Sequence, residues 1–330
     1  MNQILTLSGR PQTFDQLIGQ KHMVDLIRTR YKSGRLPPAL MFVGESGAGK
    51  TTVARIIATS LQCKHQETFG NPCEACRRNR AKFDIIEINA SESSSGTEVE
   101  QIIVGANYTP KPPSRKRVYM FDEAQKLKGA AQSVLLKYFE DSPSSTVWII
   151  CTTEPGKILR TLRRRCFTYT IPNLGMKGVA SLVERTIKQA GQKKDAEPLT
   201  EALLEAGITS PGFVVLATEK YLDGETAEKA SQVGLDSSLD TLRICRAVVK
   251  GDWDTVKQQL FAANPEDSRA VRGAVSGYLK SILLGSDIGS AAKRAADAIV
   301  ELTKINTYED GLQLSATIAA LYRLCMLFRH

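Results

Sequence analysis

Residues 44–51 combine side-chain types and a spacing that suit the binding of a phosphate chain. They read Gly44-Glu45-Ser46-Gly47-Ala48-Gly49-Lys50-Thr51, which is a glycine, four residues, and then Gly-Lys-Thr. Glycines let backbone N–H groups turn towards phosphate oxygens, and a helix beginning at Thr52 points its positive end at the same anion. In this pattern Lys50 reaches the terminal phosphates and Thr51 holds Mg²⁺. An ordinary glycine-rich turn is the alternative, but a full match directly after a strand-like run predicts ATP binding.

A pair of carboxylates follows an apolar run further along the chain. Asp122 and Glu123 come directly after residues 118–121, about seventy residues beyond Lys50. One carboxylate can order the Mg²⁺ shell, while its neighbour can orient a water molecule and accept its proton. An acidic pair that merely leads into a turn is the alternative. The position of the pair between strand-like runs favours ATP hydrolysis.

The elements that must position these motifs alternate between strands and helices. Strands are predicted at 39–43, 85–88, 118–121 and 146–151, and helices at 22–31, 52–61 and 130–139. Thr97, with Glu100 three places later, predicts a further helix start by the capping-box rule. Such alternation implies an α/β fold, a parallel sheet with helices on both faces and ligands at the carboxyl ends of its strands.

Helical periodicity replaces the strand pattern from residue 171 onward. A small helical unit is predicted over 173–224 and a second helical unit over 236–330. The second unit has segments of the length found in helix bundles, at 239–250, 253–262, 268–284, 289–304 and 308–328.

Composition narrows the class of protein further. The chain has 330 residues, enough for two or three domains, and a net charge of +9. Residues 1–170 hold 25 Lys and Arg against 15 Asp and Glu, whereas 171–330 hold 19 against 20. This basic half indicates a polyanionic partner such as nucleic acid, with a solvated basic surface as the alternative. The sequence has neither a run of roughly 20 apolar residues nor a signal peptide, so we expect a soluble intracellular protein whose seven cysteines are thiols or metal ligands.

Taken together, these motifs resemble AAA+ ATPases of the clamp-loader family, in particular the bacterial gamma/tau-type subunit of DNA polymerase III or a phage equivalent. The specific motifs lie within about residues 8–170. The resemblance implies an AAA+ domain at 1–172, a helical lid at 173–224 and an oligomerising helical collar at 236–330. It further implies an ATPase that opens a sliding clamp and places it on primed DNA in the cytoplasm. The implied partners are further loader subunits in a ring or spiral of five, the clamp, primer-template DNA and the replicative polymerase.

The same resemblance implies roles for residues around the ATP site. The segment 10–20 matches the lining of the adenine pocket, through Arg10, Pro11, Ile18 and Gly19. Thr152 and Thr153 match the first sensor of the γ-phosphate, and Val214 occupies the position of the second-sensor arginine. Either ATP is coupled to the lid differently in this chain, or the match at Val214 is out of register.

A run of three arginines resembles the family's Ser-Arg-Cys motif, whose arginine reaches the ATP site of the neighbouring subunit. Residues 162–166 read Leu-Arg-Arg-Arg-Cys, so Arg164 replaces the serine. Arg165 keeps the place before cysteine and is the implied arginine finger. A guanidinium at the γ-phosphate stabilises charge that develops in the transition state. A basic run that faces solvent or DNA is the alternative.

Three cysteines resemble the family's four-cysteine zinc knuckle. Cys63, Cys73 and Cys76 match its first three positions, but Asn79 stands at the fourth. His65 could complete a tetrahedral zinc site, and a metal-free loop is the alternative.

Positions that match the family's DNA-contacting surfaces follow the carboxyl ends of the strands. These are Thr97, Lys126, Lys128, Lys157 and Thr161, and their contacts would go to phosphates. Asn89 ends the second strand, where it could hold Glu123 inactive until DNA binds.

Two other functions remain compatible with the sequence. The first is a different AAA+ machine that remodels DNA, by branch migration or at forks. The second is a nucleotide-sensing scaffold subunit with little turnover, which Val214 brings into consideration. We expect a clamp loader to be stimulated by clamp and primed DNA together.

Overall fold

The computed structural model describes residues 9–92, 94–141, 143–233, 241–261, 267–285, 290–303 and 313–329. Its contacts divide the chain into two compact units, and the division lies between Ser231 and Gln232. The predicted helix starts at 239, 289 and 308 lie outside the described residues, as do the predicted ends at 262 and 304.

The first unit contains a five-stranded parallel sheet in the order β2-β3-β4-β1-β5. Its strands are β1 (Ala39–Val43), β2 (Ile85–Asn89), β3 (Arg117–Asp122), β4 (Thr146–Thr152) and β5 (Phe167–Thr170). Because all of the pairs are parallel, the carboxyl ends of the strands share one edge. This arrangement confirms the predicted α/β fold.

Both faces of the sheet are covered, and the alternation of side chains along the strands shows how. Leu40 and Phe42 of β1 belong to one buried cluster, whereas Ala39 and Met41 belong to another. Successive strand residues point to opposite faces, so the two clusters lie on opposite sides of the sheet. The central strands are therefore continuous apolar runs, which is why the sequence predicts them well.

Helices of the first unit connect and cover the strands. They are α1 (Lys21–Lys32), α2 (Lys50–Gln62), α3 (Glu74–Arg78), α4 (Gly96–Ile103), α5 (Gly129–Asp141), α6 (Arg160–Arg165), α7 (Met176–Gln189), α8 (Glu197–Glu205), α9 (Pro211–Leu222) and α10 (Ala227–Ala230). The predicted helices at 22–31, 52–61 and 130–139 correspond to α1, α2 and α5. Each observed helix is one or two residues longer at each end.

The start of α4 differs from the prediction. Ser95 caps this helix: its Oγ accepts from the N–H of Glu98, whose carboxylate accepts from the N–H of Ser95. The capping box therefore lies two residues before the predicted pair, and Thr97 is already within the first turn of α4. The prediction was wrong because Ser-x-x-Glu and Thr-x-x-Glu overlap in the sequence, and Ser95, with φ −81° and ψ 156°, has the extended backbone of an N-cap.

Helices are the only regular secondary structure among the described residues of the second unit. It contains α11 (Thr241–Lys250), α12 (Trp253–Leu260), α13 (Asp267–Gly285), α14 (Ser290–Thr303) and α15 (Gln313–Phe328). One cluster joins these helices, with fully buried Val248, Leu279 and Leu321 among its members. Over the described residues of both units, we find no helix with the length and apolar character required to cross a membrane.

Candidate nucleotide-binding site

The loop between β1 and α2 adopts a conformation that requires glycine. Gly47 and Gly49 have positive φ angles of 74° and 100°. A Cβ on Gly47 would lie 2.5 Å from the Ser210 hydroxyl, and one on Gly44 would lie 2.7 Å from the Ile171 carbonyl oxygen. The loop therefore packs too closely against its surroundings for side chains at these two positions.

Lys50 lies inside this loop and is 5% exposed. Its ammonium group donates to the carbonyl oxygens of Gly44 at 3.0 Å and Glu45 at 2.8 Å. An ammonium group has three donors, so these bonds fix its position and leave a donor for a phosphate oxygen. Because Lys50 is also the first residue of α2, it stands where the helix dipole attracts an anion.

Thr51 and Asp122 meet across the gap between α2 and β3. The Thr51 hydroxyl donates to Asp122 Oδ2 at 2.8 Å, and Asp122 Oδ1 accepts from the N–H of Glu123 at 3.0 Å. A hydroxyl and a carboxylate in contact are the oxygen ligands that Mg²⁺ takes beside nucleotide phosphates. The two residues therefore fit the predicted magnesium site.

Glu123 has an unusual backbone conformation. Its φ is 51°, which makes it the one non-glycine residue with positive φ among the described residues. The left-handed region costs a residue with a side chain of order 1–3 kcal/mol and is often found at functional sites. Glu123 also lines the cavity that borders the phosphate loop.

This cavity has a volume of about 390 Å³, within the roughly 300–1,000 Å³ of small-molecule sites. Its walls come from several parts of the first unit: the segment before α1, the phosphate loop with the start of α2, Glu123, α7 with Leu174 before it, and the amino end of α9. The predicted nucleotide residues among the lining are Arg10, Pro11, Ile18, Ser46, Gly47, Ala48, Gly49, Lys50, Thr51 and Thr52. Gly44 and Glu45 instead hold Lys50, and Gly19 packs against Leu174, which itself lines the cavity.

Two features of the cavity wall are not evident in the sequence. Arg185 of α7 lines the cavity and donates to the carbonyl oxygen of Gln16 at 2.5 Å. Its buried Nε has no hydrogen-bond partner, and burial lowers the pKa of its guanidinium. In addition, the amino end of α9 is bonded to the phosphate loop, because Ser210 Oγ donates to the Ser46 carbonyl and the Gly212 N–H donates to Gly47, both at 2.9 Å.

The orientation of α9 shows where the residue matched to the second sensor lies. Val214 is 0% exposed and belongs to the interior of the unit, whereas Phe213, Val215 and Leu216 line the cavity. Successive helix positions are rotated by about 100°, so neighbouring residues of α9 face different surroundings. The three residues that line the cavity are apolar, so α9 contributes an apolar wall here.

Thr152 and Thr153 reach Glu123 through a glutamine. Gln125 Oε1 accepts from the Thr152 hydroxyl at 2.9 Å and from the Thr153 N–H at 3.3 Å. Gln125 Nε2 donates to Glu123 Oε2 at 2.5 Å. Asn89, the residue expected to hold Glu123, donates instead to Glu92 and accepts from the N–H of Ser91.

Arg165 lies at the opposite edge of the sheet from the phosphate loop. It ends α6 immediately before β5 and lines a second cavity with Pro38, which precedes β1. Its guanidinium forms an ion pair with Glu140 and donates to the Thr161 carbonyl. Since β1 and β5 are parallel, Arg165 stands at their amino ends, and the phosphate loop stands at the carboxyl end.

The cysteine segment brings four candidate metal ligands together. Ligand atoms of Cys63, His65, Cys73 and Cys76 all lie within 4.8 Å of one another. Asn79 donates to the carbonyl of Ala75 and belongs to the turn that ends α3. A hydrogen bond from the Cys76 backbone lowers the pKa of Cys73 to about 7, and burial raises the pKa of Cys76 to about 12. Three sulfurs and an imidazole in one cluster match the donor set of structural zinc.

The candidate DNA-contacting residues, here called the exposed rim, follow the carboxyl ends of β2, β3 and β4 along the chain. Thr97, Lys126, Lys128, Lys157 and Thr161 are all exposed. The segments that follow β2 and β3 are bonded together: Lys126 Nζ donates to the Ser91 hydroxyl, and the Lys128 N–H donates to the Ser94 carbonyl oxygen. The Lys157 ammonium also pairs with Glu154 at 2.9 Å, which offsets part of its charge.

Comparison with known proteins relates this chain to subunits of DNA polymerase III. The sequence model of the family described as DNA polymerase III, delta subunit, matches residues 19–175. DNA polymerase III subunit gamma of Buchnera aphidicola is 34% identical over 202 residues, which cover 60% of this chain and 55% of that protein. DNA polymerase III subunit tau of Escherichia coli is 30% identical over 264 residues, which cover 77% and 41%. The chain thus spans about half the length of the curated relatives it matches.

Solved structures show the same fold. Thermotoga maritima RuvB, described as a Holliday junction branch migration motor, aligns over 81% of this chain and 85% of its own length, with a TM-score of 0.51 and 14% identity. A mutant of the same protein aligns with a TM-score of 0.53. The chain is an AAA+ nucleotide-binding protein by fold. Its sequence is similar to the gamma/tau-type subunits of DNA polymerase III, and this similarity supports a clamp-loader AAA+ subunit.

Proposed function

We propose that this chain is an ATPase subunit of a sliding-clamp loader, which opens a ring clamp and places it on primed DNA. The observation that carries the proposal is the convergence of Lys50, the Thr51–Asp122 pair and Glu123 around one cavity. Lys50 binds the terminal phosphates of ATP, and Thr51 and Asp122 hold Mg²⁺, which neutralises phosphate charge. Glu123 orients the attacking water and accepts its proton.

The partners follow from the relatives named DNA polymerase III. We infer that the chain joins other loader subunits in a ring or spiral of five through the helical unit at 236–330. The helices at 173–224 act as the lid. The sliding clamp, primer-template DNA and the replicative polymerase are its further partners, at replication forks in the cytoplasm, or in the host cytoplasm for a phage protein.

Arg165 completes the ATP site of a neighbouring subunit in this proposal. Its place at the amino ends of β1 and β5 separates it from the phosphate loop of its own chain by the length of the strands. An arginine there can serve only a different copy, so hydrolysis depends on assembly. The pair with Glu140 holds the guanidinium at the surface from which it reaches that copy.

The exposed rim binds the DNA backbone in this proposal. Its lysines and hydroxyls are exposed, and with the amino ends of α4 and α5 they follow the strand ends along the chain. Such groups bind phosphates without reading bases, so the affinity would fall steeply with salt and depend little on sequence. The rim adjoins Glu123 through Lys126, which gives DNA a route to influence hydrolysis.

The cysteine segment holds a structural zinc ion in this proposal. Cys63, Cys73 and Cys76 supply three thiolates and His65 supplies the fourth ligand. A closed set of four ligands leaves no open position, so the zinc stabilises the segment between α2 and β2 and takes no part in hydrolysis.

ATP turnover by the full chain, mixed with its partner subunits, tests the function. We expect turnover to rise only when clamp and primed DNA are both present, and to disappear in Glu123→Gln and Lys50→Ala. Stimulation by DNA alone, with strand unwinding or branch migration, would instead establish a DNA-remodelling ATPase. The likeness to RuvB does not favour that outcome, because 14% identity supports the fold alone.

A second candidate function is a nucleotide-sensing scaffold subunit with little turnover. The apolar cavity wall of α9, formed by Phe213, Val215 and Leu216, favours it. Under this alternative, Glu123→Gln would leave turnover by the assembled complex unchanged, while Lys50→Ala would still weaken nucleotide binding.

A further inference from the structure

Gln125 links the carboxylate of Glu123 to the end of β4. It lies in the 3₁₀ turn Ala124–Lys126 that directly follows Glu123. Its Nε2 donates to Glu123 Oε2 at 2.5 Å, and its Oε1 accepts from Thr152 Oγ1 at 2.9 Å and the Thr153 N–H at 3.3 Å. A single amide thus bridges the ends of β3 and β4.

The orientation of this amide is fixed by its partners. A backbone N–H can only donate, so the atom that faces Thr153 is the amide oxygen. An ionised carboxylate can only accept, so the atom that faces Glu123 is the NH₂ group. Both ends require the same orientation. A flipped amide would place its NH₂ group against the Thr153 N–H and its oxygen against the Glu123 carboxylate.

Glu123 requires such support because its own backbone is strained. With φ at 51°, its conformation persists only where the surrounding contacts impose it. Its N–H is held by Asp122 Oδ1, and its carboxylate by Gln125. Asn89 ends the adjacent strand β2, and its side chain is hydrogen-bonded to the Glu92 carboxylate and the Ser91 N–H.

We propose that Gln125 is the positioning residue of the hydrolytic reaction. It anchors Oε2 of Glu123 to β4 and leaves Oε1 to receive the proton of the attacking water. In that step the water oxygen bonds to the γ-phosphorus, the bond from that phosphorus to the β,γ-bridging oxygen breaks, and ADP leaves. This inference rests on the proposed function, since it requires Glu123 to act on water.

Two variants of the full chain remove different hydrogen bonds of the Gln125 amide. Gln125→Glu keeps the acceptor for Thr152 and Thr153 but loses the donor to Glu123, and Gln125→Met loses both. We expect kcat for ATP to fall about 10- to 100-fold in each, because a small displacement of a catalytic group has effects of this size. The KM and the Kd for ATP should stay within about twofold, because Gln125 is not among the residues that line the cavity.

The decisive measurement repeats these substitutions in a Glu123→Gln background under single-turnover conditions. If Gln125 acts through Glu123, the second substitution has no further effect on the rate. An equal loss in both backgrounds would overturn the inference, as would an unchanged or increased kcat in the single variants. Melting temperatures show which variants fold. If Gln125→Met does not fold, the comparison of Gln125→Glu in the two backgrounds still tests the inference.

Gln132 provides a matched control. It is a buried glutamine, 3% exposed, whose amide also bridges backbone groups, with bonds to Leu127, Lys157 and Leu159. Gln132→Met should lower the melting temperature and leave kcat unchanged. Unchanged turnover in Glu123→Gln would refute the proposed function itself, whereas abolished turnover there with normal Gln125 variants would refute only the role of Gln125.

Discussion

Gly212→Ala tests whether the contact between α9 and the phosphate loop supports nucleotide binding. A Cβ on Gly212 would lie 3.1 Å from Gly47 Cα and 3.3 Å from the Gly47 carbonyl oxygen. Both distances are shorter than ordinary van der Waals contact, and the neighbour is backbone rather than a flexible side chain. The amino end of α9 must therefore move by a few tenths of an ångström and stretch the 2.9 Å bond from the Gly212 N–H.

The expected effect is a loss of ATP affinity with little loss of stability. A weakened backbone hydrogen bond is worth about 1 kcal/mol, which corresponds to roughly a fivefold increase in Kd. Alanine also restricts the unfolded chain, and this contributes about 0.4–1 kcal/mol in the stabilising direction. Titration calorimetry with ATP and thermal melting measure the two quantities separately.

Gly273→Ala is the matched control for this prediction. Gly273 lies within α13, and a Cβ there would meet no atom within 4 Å among the described residues. It should raise the melting temperature slightly and leave ATP affinity unchanged. Unchanged affinity in Gly212→Ala, or the same change in both variants, would refute the coupling of α9 to the phosphate loop.

Three further predictions concern magnesium, the neighbouring subunit and zinc. Thr51→Val should weaken ATP binding about tenfold in Mg²⁺ and little in EDTA, because it removes an oxygen ligand of the charged Mg²⁺ ion. Thr59→Val, in the same helix, should leave ATP binding unchanged in both buffers. Equal effects of Thr51→Val in both buffers would count against a magnesium ligand. Arg165→Ala should lower hydrolysis by the assembled complex about 10³-fold without changing ATP affinity, and Arg164→Ala should not; full activity of the Arg165 variant would exclude the arginine finger. Cys76→Ser should abolish the zinc content measured by a metal-release assay. A loss of ~2 kcal/mol in the free energy of unfolding would lower the melting temperature by roughly 4–8 °C. A wild-type chain without zinc would favour the metal-free loop.

The central strands could be predicted from sequence because they are buried on both faces and read as unbroken apolar runs. β5 was not predicted. It reads Phe167-Thr168-Tyr169-Thr170, an alternating pattern at the edge of the sheet, directly after three arginines. Only its parallel pairing with β1 places it in the sheet. An edge strand is specified by its neighbour as much as by its own composition.

The site was predictable where function depends on a fixed local pattern. Residues of the phosphate loop, together with Asp122 and Glu123, are brought together as the sequence predicts. The partner of Glu123 could not be found in this way, because Gln125 and Asn89 are both polar residues near strand ends and only the folded chain shows which one reaches the carboxylate. Likewise, which residues of α9 line the cavity depends on the rotation of this helix about its axis, which the sequence alone does not define.

The parallel sheet also constrains how copies of this chain can assemble. Because Arg165 and the phosphate loop lie at opposite edges of the sheet, an arginine finger that acts between subunits joins two different surfaces. When such a contact is repeated from copy to copy it is heterologous, and it produces a ring if the rotation closes and an open row if it does not. A row of subunits joined in this way has polarity, and an open row leaves one nucleotide site without its arginine at one end and one unused arginine at the other.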